Sequence, residues 1–423
     1  MGPERCRGCA GGGEDPTVAS AGAGPSLPAA DAIASLRERL LAWYDRRQRA
    51  LPWRRRTSLY GTWVSEIMLQ QTTVAAVVPA WERFLARFAD VRALAAADEQ
   101  EVLALWSGLG YYRRARALHA AARRVVTDRG GRLPHDRAGW RELPGVGDYT
   151  AAAIASIGLG EPVAAVDANV RRVVCRWLCA DPAAAAALQP RLVHAAQALL
   201  DPRRPGDWNQ AVMELGATVC RAARPDCAAC PVQPRCRAGS AGTAAAVPAP
   251  RARVVATEAW LVLVLAIRGD AVALLPPDAP VPLRAAGAGR PVRRDFSTLH
   301  GGLWGLPASP WYPSSSVAEE EPGRRTRATP AWEMALDATR VWLRGRLEGA
   351  RPPEPVGCIR HAITRYRLEA LVVLAMLGPG ADPPRPALLV PLADLRERPL
   401  STLAHKALAL RDLVPSTGPG TTT

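Results

Sequence analysis

One glutamate of this chain stands where an acid could work near neutral pH. Glu66 lies in the segment WVSEIMLQQTT, and the apolar residues Ile67, Met68 and Leu69 follow it directly. A glutamic acid buried among apolar side chains has a raised pKa, so it can hold a proton and donate it as a general acid. The alternative is a helix glutamate that faces solvent.

Four cysteines in one short stretch have the spacing of a metal site. They are Cys220, Cys227, Cys230 and Cys236, in the pattern C-x6-C-x2-C-x5-C. Four thiolates this close in sequence can bind zinc or a [4Fe–4S] cluster. The spacing alone does not decide between the two.

A Gly-rich turn, LPGVG at 143–147, joins two apolar helical stretches and precedes a second carboxylate. We expect Gly145 and Gly147 to allow backbone torsions and close approaches that other residues resist. The amides of the turn can then point at a phosphate from the start of the next helix. Asp167 follows that helix and precedes ANVRRV, where it could also cap a further helix. An ordinary helix hairpin is the alternative interpretation of the turn.

The charge of the chain favours a polyanionic partner such as nucleic acid. The formal net charge is +15 over 423 residues, and the alternative is an arginine-rich composition without a particular partner. Lys406 is the only lysine. No lysine near the turn is therefore available to form an imine with an aldehyde.

The hydrophobic pattern predicts a cytoplasmic protein that does not enter a membrane. We find no apolar run of about 18 residues, the length a membrane helix needs. The segment MGPERCRGCAGGGEDPTVASAGAGPSLP lacks the long apolar core of a signal peptide. In the cytosol, cysteines are expected to bind metal or to be buried before they form disulfides.

Apolar periodicity divides the chain into regions of different fold class. A mainly helical region is predicted at 31–237, a linker at 238–253 and a separate α+β domain at 254–413, with tails at 1–30 and 414–423. In the α+β domain, EAWLVLVLAIRGDAVALLP predicts two strands around an Arg-Gly-Asp turn.

Two of these segments resemble known enzymes. LPGVGDYTAAAIASIGLGEPVAAVD resembles the hairpin and catalytic Asp of the endonuclease III superfamily of DNA glycosylases, and WVSEIMLQQTT closely resembles the MutY-type adenine DNA glycosylases. The resemblance implies a helix-hairpin-helix glycosylase domain at 31–237. Within it we expect a six-helix barrel at about 60–160 and an iron–sulfur subdomain formed by 31–59 and 161–237.

The same resemblance implies a mechanism. Glu66 is expected to protonate the leaving adenine at N7, and Asp167 to stabilise the deoxyribose oxocarbenium ion, through charge or a covalent intermediate. Tyr149 and Asn169 match residues that support the site by hydrogen bonding. Tyr149 also occupies the position of the Schiff-base lysine of the lyase branch, so we expect hydrolysis without strand cleavage.

Residues for DNA are implied in the same way. A target base must leave the duplex before it reacts, and Tyr111, preferred over its neighbour Tyr112, is expected to wedge into the helix. Nearby Arg113, Arg114 and Arg116 add positive charge suited to phosphates. The full expected set for DNA binding is Arg54 (in LPWR), Gln70, Gln71, Tyr111, Gly145, Gly147 and Thr364.

The resemblance also favours a [4Fe–4S] cluster over zinc at the four cysteines, and it extends to the second domain. GGLWGLP at 301–307 and RPLSTLAHKAL at 398–408 resemble the MutY C-terminal region, a Nudix-like fold that recognises 8-oxoguanine. We find no GX5EX7REUXEE signature, so diphosphate hydrolysis is not expected. The family's Phe-Ser-His recognition loop is replaced here by Ile363, Thr364 and Arg365.

Together these features predict a monofunctional adenine DNA glycosylase of base excision repair. Its expected substrate is double-stranded DNA in which adenine is mispaired with 8-oxoguanine or guanine. We expect a monomer in the bacterial cytoplasm, associated with the nucleoid through DNA. The alternatives are a glycosylase of the same fold for other mispaired or oxidised bases, and a non-catalytic DNA-binding iron–sulfur protein.

Overall fold

A computed structural model describes most of the chain. The described residues are 27–55, 58–179, 181–249, 255–277, 279–280, 282–283, 303–313, 330–349, 351–363, 366–396 and 398–410. The chain divides into two compact units, one formed by 1–49 with 160–251 and the other by 50–159 with 252–423.

The described helices follow one another through most of the first 240 residues and return near the C-terminus. In chain order they are α1 Ala30–Arg47, α2 Pro52–Arg55, α3 Leu59–Leu69, α4 Val74–Arg87, α5 Val91–Ala96, α6 Glu99–Leu105, α7 Arg113–Arg129, α8 Arg137–Arg141, α9 Asp148–Leu159, α10 Ala168–Leu178, α11 Pro182–Leu188, α12 Leu192–Leu199, α13 Pro205–Thr218, α14 Arg237–Ser240, α15 Pro330–Trp342 and α16 Thr402–Ala409. No helix of the described residues is long and apolar enough to cross a membrane.

Helix α3 runs through the core of its unit. Ser58 caps it by accepting a hydrogen bond from the amide of Gly61 at 2.9 Å. From Tyr60 to Met68 every residue is buried, so α3 has no polar face and is covered on all sides. Its neighbours in this core include the large aromatic side chains of Trp63, Trp81, Phe84, Trp106 and Trp140.

The C-terminal region is a mixed sheet with a helix on each face. Its strands are β1 Thr257–Arg268, β2 Ala271–Leu274, β3 Tyr312–Pro313, β4 Glu354–Ile363, β5 Tyr366–Met376 and β6 Leu388–Pro391. The order is β4-β5-β1-β2-β6, β3 pairs with β1, and only the β1–β5 pair is parallel. The predicted hairpin is present as β1–β2, where Gly269 takes a φ of +56°. One face of the sheet packs against α16 and the other against α15.

Candidate active site

The carboxyl group of Glu66 is buried and held by a tyrosine. Glu66 is 7% exposed, so the solvent-facing alternative is wrong. The hydroxyl of Tyr149, at the start of α9, donates a hydrogen bond to Oε2 of Glu66 at 3.1 Å. A carboxyl group in either protonation state can accept this bond. The arrangement suits an acid that gives up a proton and is then stabilised as an anion.

A second bond joins the same two helices. Nε2 of Gln70, which directly follows α3, donates to Oγ1 of Thr150 at 3.0 Å, and Thr150 is buried. The adjacent Gln71 is exposed and has a φ of +55°, an uncommon value for a residue other than glycine. The end of α3 is therefore fixed to the start of α9, while the next side chain points into solvent.

The hairpin between α8 and α9 depends on one of its glycines. Gly145 has a φ of +78°, and a Cβ atom there would lie 2.7 Å from Cβ of Ala117. Gly147 has no positive φ, and a Cβ atom there would meet nothing within 4 Å. Gly147 therefore does not need an unusual torsion, and its close approach to a phosphate stays a prediction. Both residues are exposed, so the amides of the turn are accessible.

The first residue of α9 brings a negative charge to this hairpin. Asp148 is paired with Nε of Arg141 at 3.0 Å and with Nη2 of Arg137 at 3.6 Å, and its side chain is 70% exposed. The two arginines offset a carboxylate that would otherwise repel a phosphate at the turn.

The two neighbouring tyrosines differ in exposure. Tyr111 is 51% exposed and has a φ of +48°, whereas Tyr112 is 8% exposed. Burial raises the pKa of the Tyr112 hydroxyl, which is also hydrogen-bonded to Ser107 and Gly108. Of the two rings, only that of Tyr111 is accessible to a partner.

Arginines 114 and 116 have partners within the protein. Nη1 and Nη2 of Arg114 donate to main-chain carbonyls of the α3 terminus and of the loop before Tyr111. Nε of Arg116 donates to Oε1 of Glu99 at 2.9 Å. The expectation that Arg114 supplies charge to phosphates is therefore wrong, because its guanidinium is used internally.

Asp167 lies in the other compact unit and caps α10. Its Oδ1 accepts from the amide of Val170 at 2.7 Å, and its Oδ2 accepts from Nδ2 of Asn169 at 3.0 Å. The capping interpretation is confirmed. It is compatible with charge stabilisation, because each carboxylate oxygen can accept more than one hydrogen bond.

Hydrogen bonds continue from Asn169 to the cysteine segment. Oδ1 of Asn169 accepts from Nη2 of Arg172 at 2.9 Å, and Nε of Arg172 donates to the carbonyl of Cys220 at 2.9 Å. Helix α13 lies tightly against this chain of bonds, because a Cβ atom on Gly216 would be 2.8 Å from Cβ of Asn169. Asp167 is thus joined through two side chains to the first of the four cysteines.

The cysteine segment is folded around a buried arginine. Arg176 is 1% exposed, and it donates to the carbonyls of Cys220, Arg221 and Ala222 and to Sγ of Cys220 at 3.3 Å. These bonds hold the main chain of the segment against α10. Sequence patterns did not predict this role, although an arginine inside the apolar run VVCRWL is a usable signal.

The four thiols of this segment are the candidate ligands of a sulfur-bound group. All four are free, and they contact one core shared with α10 and α13. Burial, with a smaller contribution from the neighbouring cysteines, raises the pKa of Cys230 to about 12 and that of Cys236 to about 11. Within the described ranges, no three His, Cys, Asp or Glu side chains are grouped as ligands of one metal ion.

The structure adds little about two of the residues predicted to bind DNA, Arg54 and Thr364. Arg54 is half-buried on α2, between Trp53 in the core and exposed Arg55. Ile363 ends β4, whereas Thr364 and Arg365 lie outside the described residues. Roles for these residues stay predictions.

Comparison with known proteins defines the class. Residues 64–193, which include Glu66, the hairpin and Asp167, match the model of the HhH-GPD superfamily of base excision DNA repair proteins. The solved structure of a thermostable thymine-DNA glycosylase is 27% identical, over 50% of this chain and 97% of that one, with a TM-score of 0.46. That score is too low to support an assignment by itself.

Relatives within the class are more specific. The adenine DNA glycosylase of Homo sapiens is 48% identical over 217 residues, which cover 49% of this chain and 40% of that protein. That of Mycolicibacterium smegmatis is 44% identical over 214 residues, which cover 50% of this chain and 72% of that protein. The chain thus spans less than half the length of its human relative. It belongs to the MutY-type adenine DNA glycosylase family.

Proposed function

We propose that this chain is a monofunctional DNA glycosylase that removes adenine mispaired with 8-oxoguanine or guanine. The observation that carries the proposal is the buried carboxyl of Glu66 with the hydroxyl of Tyr149 bonded to it. The relatives that match about half of the chain are named adenine DNA glycosylases.

The acid is Glu66. Adenine is a poor leaving group as an anion, so its departure requires protonation of the ring. Glu66 gives its proton to N7 while the N-glycosidic bond breaks and the bonding pair leaves with the base. The resulting carboxylate keeps the hydrogen bond from Tyr149, which offsets part of the cost of a buried charge.

Asp167 stabilises the cation that remains on the sugar. Its two oxygens are held by the amide of Val170 and the side chain of Asn169, so its orientation is set before DNA binds. A preorganised carboxylate lowers the barrier without reorganising during the reaction. Water then attacks C1′ and loses a proton to solvent, which leaves an abasic site.

The product is an abasic site and not a cut strand. A lyase step needs an amine that forms an imine with the sugar aldehyde. Tyr149 stands at the position where the lyase branch of the superfamily has its lysine, and the sole lysine, Lys406, lies on α16 in the sheet region.

The four cysteines would hold a [4Fe–4S] cluster. When bound, the cluster would cross-link the loop that contains the four cysteines. It takes no part in the hydrolysis. Arg176 holds the loop through three carbonyls, and Arg172 connects it to Asn169. The role we assign to the cluster is to fix the segment against which Asp167 is positioned.

DNA is bound through the hairpin, Tyr111 and the two glutamines that follow α3. The amides at Gly145 and Gly147 face a phosphate, Tyr111 wedges into the duplex, and Gln70 and Gln71 fill the space that the target base leaves. The C-terminal sheet region is the Nudix-like domain that contacts the opposing base through the loop at Ile363, Thr364 and Arg365. The net charge of +15 supports binding to DNA.

A panel of duplexes tests the proposal. Each duplex contains one labelled site (A opposite 8-oxoguanine, A opposite G, T opposite G, or thymine glycol), and the products are treated with alkali to cut abasic sites. We expect cleavage after alkali for the two adenine mispairs alone. Cleavage of the T:G or thymine glycol duplex without cleavage at adenine would contradict the proposal, as would binding without cleavage of any duplex.

A further inference from the structure

Arg114 forms an unusual concentration of internal hydrogen bonds at the start of α7. The side chain is partly buried and its Nη atoms meet carbonyl and hydroxyl oxygens from two segments. Nη1 donates to the carbonyls of Ile67 at 2.9 Å, Met68 at 2.8 Å and Gln70; Nη2 donates to Oγ1 of Thr72 at 2.9 Å and to the carbonyls of Leu109 and Gly110, each at 3.0 Å.

The first segment is the C-terminal end of α3, the helix that bears Glu66. The last carbonyls of a helix have no partners within it and carry a partial negative charge. A guanidinium placed there satisfies several of them at once. The guanidinium of Arg114 therefore binds the C-terminal end of the helix that bears Glu66.

The second segment leads directly into Tyr111. Residues 109 and 110 supply their carbonyls to Arg114, and Tyr111 follows with a φ of +48°. The guanidinium also lies over two rings, 5.4 Å from the centroid of Trp106 and 5.7 Å from that of Tyr111. A left-handed tyrosine is costly unless its surroundings hold it, and here Arg114 provides those contacts.

We propose that Arg114 is a positioning residue that fixes the wedge Tyr111 relative to the helix bearing Glu66 and thereby controls extrusion of the target base. It rests on the proposed function, and it assigns Arg114 to extrusion and not to bond cleavage. The side chain acts through Tyr111 and never touches the DNA.

Only arginine fits this task. A guanidinium is planar, so it can lie over two rings while its four Nη hydrogens reach two sets of oxygens, whereas an ammonium has three donors and no flat face. Burial lowers the pKa of Arg114 to about 10, which leaves it cationic at neutral pH. Arg114→Lys therefore keeps the charge and loses the geometry.

Base extrusion can be measured without cleavage in a Glu66→Gln background. A duplex with 2-aminopurine at the target position becomes fluorescent when that base leaves the stack. We compare Glu66→Gln alone with the double variants that add Arg114→Lys, Tyr111→Ala, or Arg123→Lys. Arg123 is an exposed residue of the same helix and serves as the matched control.

We expect Arg114→Lys to reduce the rate of the fluorescence rise by roughly tenfold or more, as displaced catalytic geometry commonly does, and Arg123→Lys to leave it unchanged. The triple variant that combines Glu66→Gln, Tyr111→Ala and Arg114→Lys should be little slower than the double variant with Tyr111→Ala, because Arg114 acts through Tyr111. Unchanged extrusion in Arg114→Lys, or full additivity with Tyr111→Ala, would overturn the proposal.

Two further measurements keep the outcome interpretable. Thermal unfolding of each variant separates lost geometry from lost folding; if Arg114→Lys does not fold, Thr72→Val removes one acceptor of the same guanidinium and should slow extrusion by a smaller factor. Extrusion without adenine release by the unmodified protein would refute the proposed function while leaving the role of Arg114 intact.

Discussion

The hydroxyl of Tyr149 donates a hydrogen bond at 3.1 Å to Oε2 of Glu66, which is buried within α3. The bond connects the first turn after the hairpin to the middle of the protein core. It therefore links the segment we expect to dock on DNA with the group we expect to protonate the base.

Removing this hydroxyl should slow the reaction. Tyr149→Phe leaves the carboxylate formed after proton donation without its donor, and a hydrogen bond to a charged group is worth enough to cost about 10- to 100-fold in rate. Single-turnover adenine release measures the effect. Tyr60→Phe is the control, because the Tyr60 hydroxyl lies in the same core and has no partner among the described residues; an equal loss in both variants would mean that packing alone is responsible.

The residue at position 149 should decide whether borohydride can trap a covalent complex of the protein with abasic DNA. Borohydride is expected to give no covalent complex between the unmodified protein and abasic DNA, and Tyr149→Lys is expected to give one, because it places an amine beside Glu66. A gel shift under denaturing conditions measures the adduct. Efficient trapping by the unmodified protein would show that another amine acts, and Lys406→Arg would then test the sole lysine.

Asp148 should weaken DNA binding at the hairpin. Asp148→Asn removes an exposed negative charge and its ion pairs with Arg137 and Arg141, so affinity should rise by roughly two- to fivefold, the scale of an exposed ion pair. Fluorescence anisotropy over a range of salt concentrations measures it. Asp382→Asn, which breaks an exposed pair with Arg268 in the sheet region, should have no effect. Weaker binding by Asp148→Asn would mean that Asp148 holds the two arginines in position.

Hydrogen bonds connect Asp167 with the cysteine segment through Arg172, which is not one of the four cysteines. We therefore expect a substitution of Arg172 to reduce excision. Arg172→Gln breaks the contacts to Asn169 and Cys220, so excision should fall by about tenfold through loss of a charged hydrogen bond. Iron and sulfide analysis should show that the cluster remains. Arg171→Gln changes the preceding residue and should retain activity. Zinc in place of iron would contradict the assignment of a [4Fe–4S] cluster. Full activity of Arg172→Gln would contradict the coupling between the cysteine segment and Asp167.

Sequence patterns predicted the elements better than the polar contacts within them. The strand pair around Arg268–Gly269–Asp270 and the helical character of the described residues within 31–237 followed from apolar periodicity. The burial of Glu66 also followed, because its apolar neighbours allow α3 to be covered on every side. Gly147 does not have the unusual torsion that its place in a Gly-rich turn allowed, because a glycine in a turn need not have a positive φ.

The arginines were the least predictable residues. In a chain with 54 basic residues, nothing local distinguishes an arginine that meets phosphates from one that meets carbonyls. Arg114, Arg172 and Arg176 bind main-chain oxygens distant in sequence, and such contacts depend on tertiary packing. An arginine flanked by apolar residues, as Arg176 is, carries the clearest local signal.

The central claim is that Glu66 is the acid, and Glu66→Gln tests it most directly. Glutamine keeps the size and polarity of the side chain but cannot supply the proton. Adenine release and binding are measured on one A:8-oxoguanine duplex. The account predicts that Glu66→Gln binds the duplex as the unmodified protein does and releases almost no adenine. Continued release at a comparable rate would contradict it.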